Sequence, residues 1–218
     1  MGLIFRKHTV NEKYFPHWSE RMAYLLGFIY ADGNIAWDSA KGYYSLTITA
    51  SEKDKDHLEK IRKVLQSTKP LLYGESTKSY RLTVNNKKIC RRLMKLGVFP
   101  RKSLIIKFPQ ILQKYIRSFI RGYIDGDGSV KYFARKRSPY FEVTISSGSK
   151  KFIASLKDKI HLNLNINSVI TKSGMNCYLL RYSCKRGLKL AEWLYQDADF
   201  YIIRKFNKYQ EAISSRKE

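Results

Sequence analysis

Residues 23–34, Ala23-Tyr-Leu-Leu-Gly27-Phe-Ile-Tyr-Ala31-Asp32-Gly33-Asn34, and residues 118–129, Ser118-Phe-Ile-Arg-Gly122-Tyr-Ile-Asp-Gly126-Asp127-Gly128-Ser129, are two versions of one phrase. Each is an apolar run with a Gly in its middle, closed by a small residue, an Asp and a Gly. Asp32 and Asp127 stand 95 positions apart, so each version can head a unit of about 100 residues, an ordinary domain size. Gly27 with Ala31, and Gly122 with Gly126, lie four apart on one helical face. Small residues there let two backbones approach closely. The pattern predicts two paired helices whose ends bring Asp32 and Asp127 side by side.

Outward from these stretches the chain repeats its order. A helix is expected over 18–32, with Gly33 as a left-handed C-terminal cap. Residues 43–50 alternate, with Leu46, Ile48 and Ala50 on one face and Ser45, Thr47 and Thr49 on the other, which is a half-buried strand. The turn at 38–42 makes it the second arm of a hairpin. Residues 54–65 have helical spacing, 71–84 form a second hairpin, and 87–96 form a helix stopped by Gly97. The second unit runs through a helix into Asp127, a hairpin over 131–145, a helix over 150–160, a hairpin over 166–182 and a helix over 185–195; a final helix follows over 201–213. The expected divisions are a basic arm at 1–17, a first repeat at 18–100, a short link at 101–108, and a second repeat with its C-terminal helix at 109–218. The fold class is α+β, two pseudo-symmetric helix–strand–strand–helix–strand–strand–helix repeats in one body.

Composition narrows the partner. Lys and Arg number 42 against 18 Asp and Glu in 218 residues, a formal charge of +24. Such a field calls for a polyanion, and nucleic acid comes first. A membrane surface is the rival, but no segment reaches the roughly 18 consecutive apolar residues of a spanning helix. The N-terminus lacks a secretory h-region, and Arg6 stands where a myristoylation signal needs Ser or Thr. An intracellular setting is expected, as a bacterial or archaeal cytoplasm or an organelle. Cys90, Cys177 and Cys184 form no C-x-x-C pair and read as free, buried thiols. The four His lack metal-ligand spacing.

A single Asp-Gly after a helix is most simply a cap and turn. Two copies with identical spacing favour a shared role. A carboxylate at a helix C-terminus is electrostatically disfavoured, and two held together repel; a bound cation removes both problems. With oxygen ligands alone, that cation is hard, such as Mg²⁺. Asp125 has Tyr30 as its counterpart, so it reads as a structural acid. An EF-hand reading fails, since Val130 and Lys136 occupy the positions that need Gly and Glu. No phosphate loop is present.

On these two stretches, with the element order from about 18 to 209, the chain resembles a single-chain LAGLIDADG homing endonuclease. The resemblance implies a pseudo-dimeric fold and Mg²⁺-dependent cleavage of both strands of a long DNA site across the minor groove, leaving 3′ overhangs. It implies Asp32 and Asp127 as catalytic, metal-binding carboxylates, with the backbone carbonyls of Ala31 and Gly126 completing coordination and roughly two or three Mg²⁺ ions shared between them. It also places a basic residue near each cleavage centre, matched here by Lys102 and Lys205. Ser51 with Lys55, and Ser147 with Lys151, are weaker candidates for ordering water and phosphate. Two departures are Tyr30, in place of an acid, and Arg121, which must point out of the helix interface.

Strand alternation assigns the face opposite the helices to Tyr43, Ser45, Thr47, Arg81 and Thr83, and then Lys131, Phe133, Arg135, Tyr140, Glu142, Thr144 and Arg181, with Arg137 at a hairpin tip. Basic, hydroxyl and aromatic groups together suit base edges in the major groove. At about one DNA turn per unit the site is roughly 20 base pairs, and the unlike faces predict an asymmetric target read by a monomer. Two other classes share the fold: an RNA maturase bound to its own intron, and a DNA-binding protein that does not cut.

Overall fold

The computed structural model describes residues 8–38, 42–135 and 139–215. Helix α1 (Glu20–Asp32) starts where the Ser19 side chain accepts the Met22 N–H at 3.1 Å, which satisfies one of the free donors of the first turn. It runs directly into β1 (Gly33–Asp38), paired antiparallel with β2 (Tyr43–Ser51) so that Gly33 faces Ile48. A turn of 3-10 helix (Glu52–Asp54) leads to α2 (Lys55–Val64), then β3 (Leu72–Gly74), β4 (Ser79–Val84) and α3 (Lys87–Lys95). The link carries one short 3-10 turn, Lys102–Leu104. The second repeat follows the same order: α4 (Ile116–Asp127), β5 (Gly128–Phe133), β6 (Tyr140–Ser147), α5 (Lys150–Leu164), β7 (Ile170–Lys172), β8 (Tyr178–Ser183) and α6 (Cys184–Tyr195), with α7 (Ile203–Ser214) added at the end. The two four-stranded antiparallel sheets have equivalent orders, β1-β2-β4-β3 and β5-β6-β8-β7. This is the α+β, twice-repeated architecture expected.

Gly33 corrects one expectation. It is extended, at φ −89° and ψ 142°, because the chain enters β1 without a turn. Glycine is required for space: a Cβ there would stand 2.6 Å from both the Ile29 carbonyl oxygen and its Cγ2. Gly128 repeats the arrangement, at φ −98°, with Ile124 as its neighbour and Ile145 opposite. The left-handed position belongs instead to Gly97, at φ +91°, after α3. Helix α5 continues four residues beyond its expected end, until Asn165 turns left-handed at φ 50°.

Leu46, Ile48, Leu82, Val84, Phe141, Val143, Ile145 and Leu180 are all buried between sheet and helices. The helix-facing residues of both sheets join the residues of α1 and α4 in one core, burial being the dominant favourable term in folding. The α1–α4 contact is as close as the small residues allow. A methyl on Gly27 would collide with the Phe119 carbonyl, one on Gly122 with the Tyr24 carbonyl, and one on Gly126 with the Ala31 side chain. Arg121 is buried rather than solvated. Its guanidinium donates to the carbonyls of Leu194 (2.9 Å) and Phe200 (3.1 Å), beside the Tyr24 ring. Of the cysteines, all free, only Cys90 is buried; Cys184 is exposed, since it opens α6 at the surface. Among the described residues no helix is long and apolar enough to cross a membrane.

Candidate active site

Asp32 and Asp127 are the last residues of α1 and α4. Because Gly126 has no side chain, Asp32 Oδ2 comes within 3.0 Å of where its Cβ would be, so the first carboxylate lies against the strand-bound end of the other helix. Burial, and then the charge of Asp127, push the Asp32 carboxyl from 3.8 up to about 7, with Lys205 and Lys102 opposing. Burial also raises Asp127, while Lys102, Lys205 and the Tyr123 hydroxyl pull it back. Two partly desolvated carboxylates in one field are the electrostatic condition a bound cation relieves.

Both predicted lysines are buried beside this pair, yet they differ. Lys205, on the first turn of α7, donates all three ammonium hydrogens to backbone carbonyls: Ile124 at 2.7 Å, Asp125 at 2.6 Å and Gly128 at 2.7 Å. It closes the C-terminal end of α4, where cations are favoured, and desolvation still lowers its pKa to about 8. Lys102 makes one long bond, 3.3 Å, to the Ala31 carbonyl. Burial lowers it too, against the pull of Asp127 and Asp32. Its remaining donors are thus available to a ligand at the acid pair.

Ser51 ends β2, and Lys55 begins α2 with its ammonium 5.1 Å from the Tyr80 ring centre. Ser51 lines a cleft of about 260 Å³ with Asp32, Asp54, Asp125, Gly126 and Arg204. Ser147 is buried and accepts the Ser149 N–H at 3.2 Å, whereas Lys151 is exposed on α5. On the open sheet faces, Tyr43, Ser45, Thr47, Thr83, Tyr140, Glu142 and Thr144 are half-buried, while Arg81, Lys131, Phe133, Arg135 and Arg181 are exposed. Arg137 lies outside the described residues.

The LAGLIDADG-like domain family matches residues 19–96 and again 114–194. The chain belongs to the LAGLIDADG family. Among curated proteins, a DNA polymerase of Methanocaldococcus jannaschii is 27% identical over 214 residues, covering 88% of this chain; the chain spans 11% of that protein's length. Solved LAGLIDADG structures share the fold. The homing endonuclease I-LtrWI bound to target DNA aligns over 95% of this chain and 92% of its own at TM-score 0.61 and 14% identity. The meganuclease I-SmaMI bound to uncleaveable DNA aligns over 92% and 91%, at 0.63 and 12%. Mesophilic variants of the homing endonuclease I-DmoI align over 92% and 99%, at 0.61 and 16%.

Around the LAGLIDADG helices lie polar groups that no local pattern marks. Asp54, buried at the end of the first 3-10 turn, takes a two-point ion pair from Arg204, with both contacts at 2.7 Å. Asp125 is buried. Its Oδ2 accepts from the Tyr24 hydroxyl at 2.6 Å and from the Ile202 N–H at 2.9 Å, and the same hydroxyl lies 3.0 Å from His57 Nε2. This assigns Asp125 the structural part expected of it. The partners are 150 residues apart for Asp54–Arg204 and 101 for Tyr24–Asp125, so they become visible only in the fold. The one sequence signal is that Arg204 directly precedes Lys205.

Proposed function

We propose that this protein is a site-specific endonuclease that cuts both strands of a long, asymmetric double-stranded DNA site. One observation carries the reading: the Asp32–Asp127 pair sits where two close-packed helices each enter a sheet, and the open faces of both sheets present basic, hydroxyl and aromatic side chains. The donor set suits a hard divalent cation, with Asp32, Asp127 and the carbonyls of Ala31 and Gly126 to hold it. Among the described residues no cluster of three or more His, Cys, Asp or Glu is present, and water and phosphate oxygens would supply the remaining ligands. Mg²⁺ held there supplies positive charge against a scissile phosphate and lowers the pKa of bound water.

The chain's own groups do the rest. Residues of the open faces grip and read the major groove over roughly 20 base pairs, holding the minor groove over the acids so that cleavage leaves 3′ overhangs. Lys102 directs an ammonium toward the phosphate and its solvent. Lys205 holds the end of α4, and with it Asp127, in place. Among the described residues no side chain is positioned as a direct base, so the proton of the attacking water passes to ordered solvent. Two sheets and two acids in one chain make the working unit a monomer.

The test is cleavage of a randomised duplex library in Mg²⁺ by the native protein and by Asp32→Asn and Asp127→Asn. A unique cut site with recessed 5′ ends, lost in both variants while binding persists, is the expected result. Specific binding without cutting by the native protein would refute the nuclease reading in favour of a DNA-binding role. Intron splicing assisted equally by both variants would instead identify an RNA maturase.

A further inference from the structure

Glu142 is the one acidic residue in the four strands of the second sheet. It points to the open face between Tyr140 and Thr144. On a surface meant for a polyanion, a carboxylate repels phosphate and weakens binding. The fold does not need it. Matching Gly33–Ile48 of the first sheet to Gly128–Ile145 of the second sets Tyr43, Ser45 and Thr47 against Tyr140, Glu142 and Thr144. Tyr and Thr recur, and the position between them holds Ser45 in one repeat and Glu142 in the other.

The carboxylate is also held. Tyr140 Oη donates to Oε2 at 2.6 Å, Thr144 Oγ1 to Oε1 at 3.0 Å, and Ser183 Oγ to Oε2 at 3.3 Å from β8. Partial burial opposes ionisation, but these hydroxyls and the nearby Arg181 outweigh it and keep the carboxyl below its usual range. Three hydroxyl hydrogens leave acceptor capacity unused, since a carboxylate offers about four lone-pair sites. Lys131 is its direct cross-strand partner and Arg181 lies one pair further along, opposite Thr144; among the described residues neither forms an ion pair with it. The group is therefore a fixed, charged acceptor on the open face, with acceptor capacity to spare and cations beside it.

We infer that Glu142 is a specificity-determining residue that requires a cytosine at one position of the DNA site, accepting a hydrogen bond from its exocyclic amino group in the major groove. Only cytosine and adenine present an amino donor there, and adenine sets the N7 acceptor beside it, which repels a carboxylate. On the paired guanine, O6 and N7 are acceptors that suit Lys131. The inference rests on the proposed reading of the sheets as a DNA surface. Preorganisation by the three hydroxyls adds to discrimination because little side-chain freedom is lost on binding.

The experiment is selection of bound duplexes from a randomised library, in Ca²⁺ to suspend cutting, with the native protein, Glu142→Gln and Glu142→Ala. Thermal melting of each variant establishes that it is folded. The native protein is expected to enrich cytosine at one position by roughly 5- to 150-fold. Glu142→Ala should lose that preference alone, and Glu142→Gln should move it toward adenine, whose N6 and N7 suit an amide. Identical base preferences for all three proteins would overturn the inference, as would a change in overall affinity with preferences intact, which is how a simple charge shield behaves. A native protein that enriches no duplex would instead overturn the DNA-binding reading, and this inference with it.

Discussion

Replacing Asp32 with Asn should stabilise the protein in the absence of divalent cations. The Asp32 carboxyl is raised from 3.8 to about 7 by burial and by Asp127, so the folded state holds a proton that the unfolded state releases. Its contribution is favourable below about pH 4 and is lost as pH rises to about 7. The span is about 3 pH units, and at 1.36 kcal/mol per unit the ionised side chain costs about 4 kcal/mol at pH 8. That is an upper bound on the gain, because the Asn amide is desolvated too. For a chain of this size 4 kcal/mol corresponds to about 8–16 °C in Tm. Melting curves in a chelator from pH 4 to pH 8 should show the native and Asp32→Asn proteins diverging as pH rises, the variant remaining the more stable. Adding Mg²⁺ should raise the native Tm and leave the variant nearly unmoved, since the cation binds the folded carboxylates. A variant that melts below the native protein at pH 8 in chelator would refute the argument that the site is strained for a cation.

Gly122→Ala should lower the denaturation midpoint by about 1–3 kcal/mol of stability, because its methyl meets the Tyr24 carbonyl and overpacking of this kind has that cost; an unchanged midpoint in urea would mean the helices are not in close contact. The lysines should separate: Lys205→Met strands three carbonyls and should destabilise by about 3 kcal/mol or more, while Lys102→Met, which removes one long bond and a counter-charge to the acids, should cost less and lose cleavage rate. Equal thermal losses in the two variants would contradict the division drawn between them. His57, lowered from 6.5 to about 4 chiefly by burial, is neutral in the fold, so its contribution is present above about pH 6.5 and lost as pH falls toward 4. His57→Gln should flatten that limb of the pH–stability curve by about 3 kcal/mol, read from urea midpoints in chelator at pH 4.5 and 7.

The repeated order of elements was legible because its signals are local: alternation in residues 43–50, apolar spacing in 54–65, and the matching stretches that end at Asp32 and Asp127. The helix pairing was legible too, since Gly27 and Gly122 have no other local use. What escaped depends on chain segments that meet only in the fold. Gly33 was misread because a glycine after a helix usually turns left, and nothing local reveals that the strand begins at once and crowds Ile29. Arg121 could be required to avoid the helix contact, but its acceptors at Leu194 and Phe200 lie more than 70 residues away. Lys205 was singled out by the resemblance, whereas its three carbonyl partners at the α4–β5 junction follow from the packing of α7 against β5. Nothing in the sequence joins Asp54 to Arg204.

That last pair bears on attempts to build hybrid proteins by exchanging halves. Arg204 reaches from the second repeat to Asp54 of the first, and the Ile202 N–H from the same segment fixes Asp125, which in turn holds Tyr24 of the first repeat. The clasp has no mirror image, since Tyr30 stands where Asp125 would be repeated. A donor first half joined to this second half must therefore bring an acid at position 54 and a Tyr at position 24. A donor second half joined to this first half must bring its own hook for them. Grafting is directional, and the residues to transplant with the seam lie outside the helices that form it.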